Sequence, residues 1–386
     1  MYNIKTFNKI DPVGLQKLND NFQVVDTDDY DGIILRSYKM SDAELTDRLV
    51  AVARAGAGYN NIPVEMYADN GVVVFNTPGA NANAVKELTI LAAMLASRRV
   101  APAMQWVQTL EGTDIDVAKE VEAQKAQYTG PEIMGKKIGI LGLGAIGVIV
   151  ANAFKQLGMT VYGYDPFISV ENAWHLDADI NRVANAEWIF ENCDYVTIHI
   201  PLTAQTKGFV GKNLIETAKD GIRILNMARG ELCDDEAIIE GVKTGKIAAY
   251  VTDFPNNNLL GIDGIIPIPH LGASTPESET NCAVMAALQI AEYIENGNIK
   301  NSVNYPDCDM GKKAAVARIT LNHLNIPNMV GQITTVLAND NINIANMINK
   351  SRGEFAYTMI DVDNAITEEV VKDLQGIEGI RKVRVL

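Results

Sequence analysis

Lys136-Lys137-Ile138-Gly139-Ile140-Leu141 runs directly into Gly142-Leu143-Gly144-Ala145-Ile146-Gly147, and the reading of this stretch decides the fold. An apolar run of strand length meets glycines at positions one, three and six of a turn, and Ile149, Val150, Ala153, Phe154 and Leu157 then recur at helical intervals. The pattern is strand, turn, helix. In that setting Gly142 permits the tight turn, Gly144 lets the backbone approach a pyrophosphate, and Gly147 lets the helix pack on the strand. An anion would sit on the amides that open the helix, those of Ala145 and Ile146. The helix closes at Gly158, and a second strand, Thr160–Tyr164, delivers Asp165, which lies 165 − 147 = 18 residues beyond Gly147. That is near the ~20 expected for an acid bonding the adenosine ribose hydroxyls. A carboxylate there repels a 2′-phosphate, so the spacing selects NAD over NADP. A lone glycine trio would be a weak signal; strand, helix and acid together make it a strong one.

Composition bounds the rest. At 386 residues the chain exceeds the roughly 250–300 residues that one core supports, which points to two or three domains. With 47% hydrophobic and 21% charged residues it reads as an ordinary soluble chain. No apolar run approaches the ~18 residues of a membrane span, and Met1–Lys5 opens no signal-peptide core, so a cytoplasmic location is expected. A formal charge of −15 argues against nucleic acid, and it requires any anionic substrate to be drawn in by local Arg and Lys. Cys193, Cys233, Cys282 and Cys308 are scattered, with no metal-site spacing.

Around the glycine stretch the chain alternates strand and helix patterns, which implies an α/β fold with a doubly wound parallel sheet. Before it, Ile33–Ser37, Leu49–Ala53 and Val72–Phe75 read as strands of a smaller α/β domain, with Ala43–Leu49 as a helix. Arg36, Lys39 and Arg54 lie on its loops, the last just before Gly56-Ala57-Gly58, whose amides can face an anion. Residues 84–99 form an apolar helix that reads as buried on several sides, and 101–130 read as an arm that contacts another subunit. Beyond Asp165, strands are expected at 194–200, 222–226, 248–253 and 265–268. A helix runs from Thr275-Pro276 to Gly297, and 298–313 read as a linker. From Ala314 the order becomes βαββαβ, the ferredoxin-like arrangement. The expected domains are 1–93 with 283–303, 94–282, and 314–386.

Four motifs carry a resemblance: Arg54-Ala55-Gly56-Ala57-Gly58, the glycine stretch, Asn226-Met227-Ala228-Arg229-Gly230, and Pro269-His270-Leu271-Gly272-Ala273-Ser274-Thr275. Over residues 1 to about 303 the chain resembles the D-2-hydroxyacid dehydrogenases, and its last domain looks like an ACT domain. The resemblance implies that Arg229 holds a substrate carboxylate and carbonyl, and that His270 exchanges the hydroxyl proton. It also implies that Pro201, Ala228, Asp253 and Gly272 lie against NAD, and that Arg36, Arg54, Gly56 and Ala57 bind substrate. Physical chemistry supports the two central assignments. A guanidinium is always charged and grips a carboxylate bidentately, and imidazole ordinarily titrates near neutrality. The branch with an ACT-like domain implies 3-phospho-D-glycerate as substrate, a homodimer or homotetramer, and L-serine as effector at His323, Asn325 and Asn343.

The family usually places a Glu beside the catalytic His some thirty residues after the Arg; here the region reads Asp253-Phe254-Pro255-Asn256-Asn257-Asn258. Asn257 or Asn258 is the expected neutral partner of His270. His199, inside a strand, reads as structural, and His175 as a surface residue. Two other readings stay open: a dehydrogenase of another D-2-hydroxyacid such as glycerate or lactate, and a non-catalytic NAD-sensing protein of the same fold.

Overall fold

Apolar runs four to six residues long, each closed by a turn, can satisfy their backbone only by pairing, and in a parallel sheet both faces must then be covered. The computed structural model, which describes residues 1–386, shows this twice. The chain divides into two compact units, residues 1–81 with 276–386, and residues 82–275.

The first unit contains a five-stranded parallel sheet of β1 (Tyr2–Phe7), β2 (Phe22–Val25), β3 (Gly32–Leu35), β4 (Ala51–Arg54) and β5 (Val73–Phe75), in the order β2-β1-β3-β4-β5. Asp42–Glu44 is a single 3-10 turn in place of the expected helix 43–49. The capping box holds Glu44 on the Ser41 amide, Tyr38 bonds the same carboxylate, and the chain is extended at Leu45.

The second unit holds a seven-stranded parallel sheet of β6 (Lys137–Leu141), β7 (Thr160–Tyr164), β8 (Asn181–Arg182), β9 (Tyr195–Ile198), β10 (Ile222–Asn226), β11 (Ile247–Thr252) and β12 (Ile265–Pro267). Its order is β12-β11-β10-β9-β6-β7-β8, so the direction of winding reverses between β6 and β9. The helix Ala82–Ser97 packs on this sheet through Val85, Ala92, Ala93 and Ala96, while Leu91 and Met94 are exposed at 50% and 36%. Only Asn83, Glu87, Leu91 and Met94 form an exposed stripe; every other residue of the helix is buried or half-buried, as expected of a helix covered on several sides. Val100–Gln108 and Val117–Gln124 are helices that bury no residue, and Met104 is 64% exposed.

Returning to the first unit, the helix Pro276–Asn296 lays Ala283, Ala286, Ala287 and Ile290 into the core of the five-stranded sheet. The segment 298–313 is not a free linker. Asn304 accepts from the Val74 amide at 3.0 Å and donates to the Val72 carbonyl at 2.9 Å, closing the open edge at β5, and Tyr305 is fully buried. Its polar composition reflects side chains standing in for a missing strand. The chain ends in β13 (Ala317–Leu324), β14 (Ile344–Arg352), β15 (Phe355–Val362) and β16 (Ile380–Val385), an antiparallel sheet in the order β14-β15-β13-β16 with helices 329–339 and 368–375. Tyr357 and Met359 of β15 join the core around helix 276–296, so this sheet shares a unit with residues 1–81. Arg318, 1% exposed, ties the two by bonding Asp361 as well as the carbonyls of Asn296 and Gly311.

Candidate active site

In a parallel sheet every carboxyl end points one way, and ligands collect where the winding reverses. In the second unit that rim carries the glycine loop after β6, Asp165 after β7, His199 to Pro201 after β9, Ala228 and Arg229 after β10, Asp253 after β11, and His270 to Gly272 after β12.

The glycine loop fits a dinucleotide. Gly142 has φ +90°, and a Cβ there would lie 2.7 Å from the His199 carbonyl oxygen. A Cβ on Gly147 would collide with the Gly142 carbonyl oxygen, whereas one on Gly144 would meet nothing within 4 Å. Two glycines are thus required by the fold, and the third borders open space on the ligand side, over the helix N-terminus at Ala145 and Ile146. Asp165 accepts the Leu143 amide on one oxygen and the Phe167 amide on the other, both at 2.8 Å. Each oxygen keeps lone-pair capacity for a hydroxyl.

Asp253 supplies a second test of fit. It is 1% exposed, its Oδ2 accepts from the Gly272 amide at 3.3 Å, and its Oδ1 is buried with no partner. Burial raises its carboxyl above the usual range, against the opposing pull of His270 and Arg229. An orphaned carboxylate oxygen inside a dinucleotide site suits an amide N–H donor, which the carboxamide of a nicotinamide presents.

His270 and Arg229 are both exposed, and each meets Phe254. The imidazole lies 4.5 Å from the Phe254 ring centroid at 46°, and the Arg229 guanidinium carbon 5.9 Å from it. Neither Asn257 nor Asn258 hydrogen-bonds His270. Both stand exposed on a 3-10 turn that Asn256 caps, while the Asn256 amide group donates to Asp235. Phe254 went unnoticed in the sequence; its position next to Asp253 at a strand's carboxyl end was the available signal. His199 pairs with Thr197 Oγ1 at 3.0 Å, and burial pulls it down to about 4. His175 is exposed.

In the first unit Arg36 follows β3 and Arg54 closes β4. The Arg54 guanidinium covers Gly56, which sits at φ +152°, and its Nε donates to the Arg36 carbonyl at 3.1 Å. Arg36 itself forms an ion pair with Glu279 at 2.7 Å. Asn76 donates to the Ala57 carbonyl at 2.6 Å, holding the loop. Asn81 has a buried, partnerless Oδ1 that the sequence did not flag.

The three effector candidates do not come together in one chain. His323 pairs in register with Ala356 at the start of β15, and Asn325 lies just beyond it. Asn343 precedes Ile344, which pairs with Val362 at the other end of β15. His323 is 2% exposed, with one ring nitrogen 2.8 Å from the Leu324 carbonyl and the other 2.8 Å from Thr358 Oγ1. Asn343 donates to Asp363. Opposite ends of an antiparallel sheet separate them.

Residues 90–272 match the model of the D-isomer specific 2-hydroxyacid dehydrogenase NAD binding domain, and this segment is a NAD-binding domain of that class. Within the class, the chain is similar to proteins named D-3-phosphoglycerate dehydrogenase. It is 33% identical over 290 residues to that of Archaeoglobus fulgidus, covering 72% of this chain and 52% of the relative. It is 29% identical over 367 residues to that of Haemophilus influenzae, covering 91% and 85%. The chain spans 52%, 58% and 59% of the lengths of three such relatives, the first from Archaeoglobus and the others from Methanocaldococcus jannaschii and Bacillus subtilis. Among solved structures, the NAD+-bound 3-phosphoglycerate dehydrogenase of Entamoeba histolytica matches at TM-score 0.59 and 28% identity, covering 78% of this chain and 98% of that one. The D-mandelate dehydrogenase of Rhodotorula graminis, 19% identical with TM-score 0.66, shares the fold. No helix is long and apolar enough to cross a membrane.

Proposed function

We propose that the chain is a NAD-dependent dehydrogenase oxidising 3-phospho-D-glycerate to 3-phosphohydroxypyruvate, the opening step of L-serine formation. One observation carries the reading: Arg229, His270 and Asp253 cluster at the carboxyl rim of the sheet whose glycine loop fits a dinucleotide. Arg229 grips the substrate carboxylate and polarises the adjacent C–O bond. His270 takes the hydroxyl proton as the C2–H bond breaks. When bound, the nicotinamide supplies the acceptor for the C2 hydride. The Gly272–Asp253 hydrogen bond holds the loop that carries His270. Arg36 and Arg54 draw the phosphate against the negative charge of the whole chain.

A second reading has its own support. Arg36 is committed to Glu279, which would leave the phosphate one cation fewer and favours an unphosphorylated D-2-hydroxyacid. An NADH absorbance assay across 3-phosphoglycerate, glycerate and lactate separates the two. Turnover only of 3-phosphoglycerate upholds the first reading, and no NADH from any of them removes the dehydrogenase reading.

We also propose serine feedback in a homodimer or homotetramer. A ligand touching His323, Asn325 and Asn343 needs a second copy to bring the two sheet ends together. Self-association itself is supported by the exposed Met104 and Val107 of helix 100–108, an apolar pair on the unit 82–275. Millimolar serine that neither binds nor slows turnover would remove this part.

A further inference from the structure

The exposed histidine and arginine of the proposed active site have long torsional freedom, and a reaction needs both held still. No carboxylate hydrogen-bonds His270: Asp253 Oδ2 is given to the Gly272 amide, and Oδ1 has no partner. What both groups share is one aromatic ring. Phe254 lies 4.5 Å from the imidazole centroid, and the Arg229 guanidinium carbon stands 5.9 Å from the Phe254 centroid. The backbone that carries the ring is held. The Phe254 amide donates to Thr252 Oγ1 at 3.1 Å, and Gly230 clears the space beside it, since a Cβ there would come within 3.2 Å of the Phe254 Cβ. An aromatic ring attracts a guanidinium or an imidazolium over its face and offers a flat surface that limits the tilt of a neighbouring ring.

We propose that Phe254 is a positioning residue, the aromatic plane against which His270 is oriented and beside which Arg229 is kept, in place of a carboxylate partner for the histidine. The inference rests on the dehydrogenase reading, which it deepens. It differs from a filler role because a filler needs volume and a positioning surface needs a plane.

The test compares Phe254→Leu, which keeps apolar volume and loses the plane, with Phe254→Tyr, which keeps both. In turnover of 3-phosphoglycerate, Leu lowers kcat by roughly tenfold or more, with KM for NAD and Tm near those of the parent, and Tyr restores kcat. A kcat for the Leu variant within twofold of the parent, a Tyr variant as slow as the Leu one, or a loss that tracks NAD affinity or Tm would overturn the proposal. A second readout needs no turnover. The chain has four histidines, so the His270 ring protons can be assigned by NMR with His270→Gln. Ring-current displacement of those signals is expected in the parent and in Phe254→Tyr, and its loss in Phe254→Leu. Displacement that persists in the Leu variant overturns the proposal whatever the turnover. Displacement as expected in a chain that turns over no hydroxyacid leaves the contact standing and removes the dehydrogenase reading.

Discussion

The seven-stranded sheet and the four-stranded sheet of this chain treat their candidate residues in opposite ways. In the parallel sheet, residues from 142 to 272 come to one rim because every strand ends on the same side. In the antiparallel sheet β13 and β14 run alike, yet His323 closes one and Asn343 opens the other, so they fall at opposite ends. Parallel topology gathers distant sequence into one site. Antiparallel topology does so only across turns or across copies.

The largest expected effect tests convergence at the parallel rim. His270→Ala should lower kcat by roughly 10²–10⁴ while leaving NAD affinity intact, read by steady-state turnover and by NAD titration. Next come the glycines. Gly147→Val should cost several kcal/mol, on the order of 3 or more, because its Cβ collides with the Gly142 carbonyl, while Gly144→Ala should hold stability within about 0.5 kcal/mol. The same Gly144→Ala should raise KM for NAD by roughly tenfold, since its methyl points where a pyrophosphate would lie. Denaturant melts and NAD titrations separate a glycine needed by the fold from one needed by the ligand.

Asp253 sharpens the contrast between stability and chemistry. Its carboxyl is raised by burial, so the folded chain bears a penalty for the ionised form above its folded pKa, relieved as pH falls through that value. Asp253→Asn should therefore raise Tm at neutral pH by a few degrees, about 2–4 °C, and lower kcat/KM by roughly 10–100-fold. His199 carries the opposite pH signature. With a folded value of about 4 against an ordinary 6.5, the unfolded chain takes up a proton first. Stability is lost as pH falls from about 6.5 to about 4, by at most about 3 kcal/mol, and His199→Asn should flatten that window in pH-dependent melts.

The antiparallel sheet is expected to show effects on stability alone. His323→Ala leaves the Leu324 carbonyl and Thr358 hydroxyl short of a partner and should cost about 1–3 kcal/mol. Asn343→Ala, exposed, should change stability by less than about 0.5 kcal/mol. Equal costs would break the contrast between a buried, doubly bonded His323 and an exposed Asn343.

The parallel sheet was readable because a strand buried on both faces has few ways to be written. Ile138–Leu141, Tyr195–Ile198 and Ile222–Asn226 are apolar runs whose ends are marked by Gly, His-Ile-Pro and Met-Ala-Arg-Gly. The glycine loop was readable for a similar reason, since steric demand at Gly142 and Gly147 excludes other residues. Less visible were features made by partners distant in sequence. Asn304 closing the edge at β5 and Arg318 reaching Asp361 and the end of helix 276–296 depend on tertiary neighbours, which a polar stretch or a single arginine does not announce. Where a helix is expected at 43–49, Glu44 is held on one oxygen by Tyr38 and on the other by the Ser41 amide, partners the helical spacing does not reveal. Phe254 was hidden because an aromatic beside a strand end usually means core, and only the geometry places His270 and Arg229 against it.

Hydride transfer at the parallel rim is measured most directly with substrate carrying deuterium at C2. Given 3-phosphoglycerate so labelled and NAD, the parent should form deuterated NADH, and His270→Ala should bind NAD with unchanged affinity and form none at a comparable rate. A parent that binds NAD and transfers no label, or a His270→Ala variant that transfers it as fast as the parent, would contradict the account.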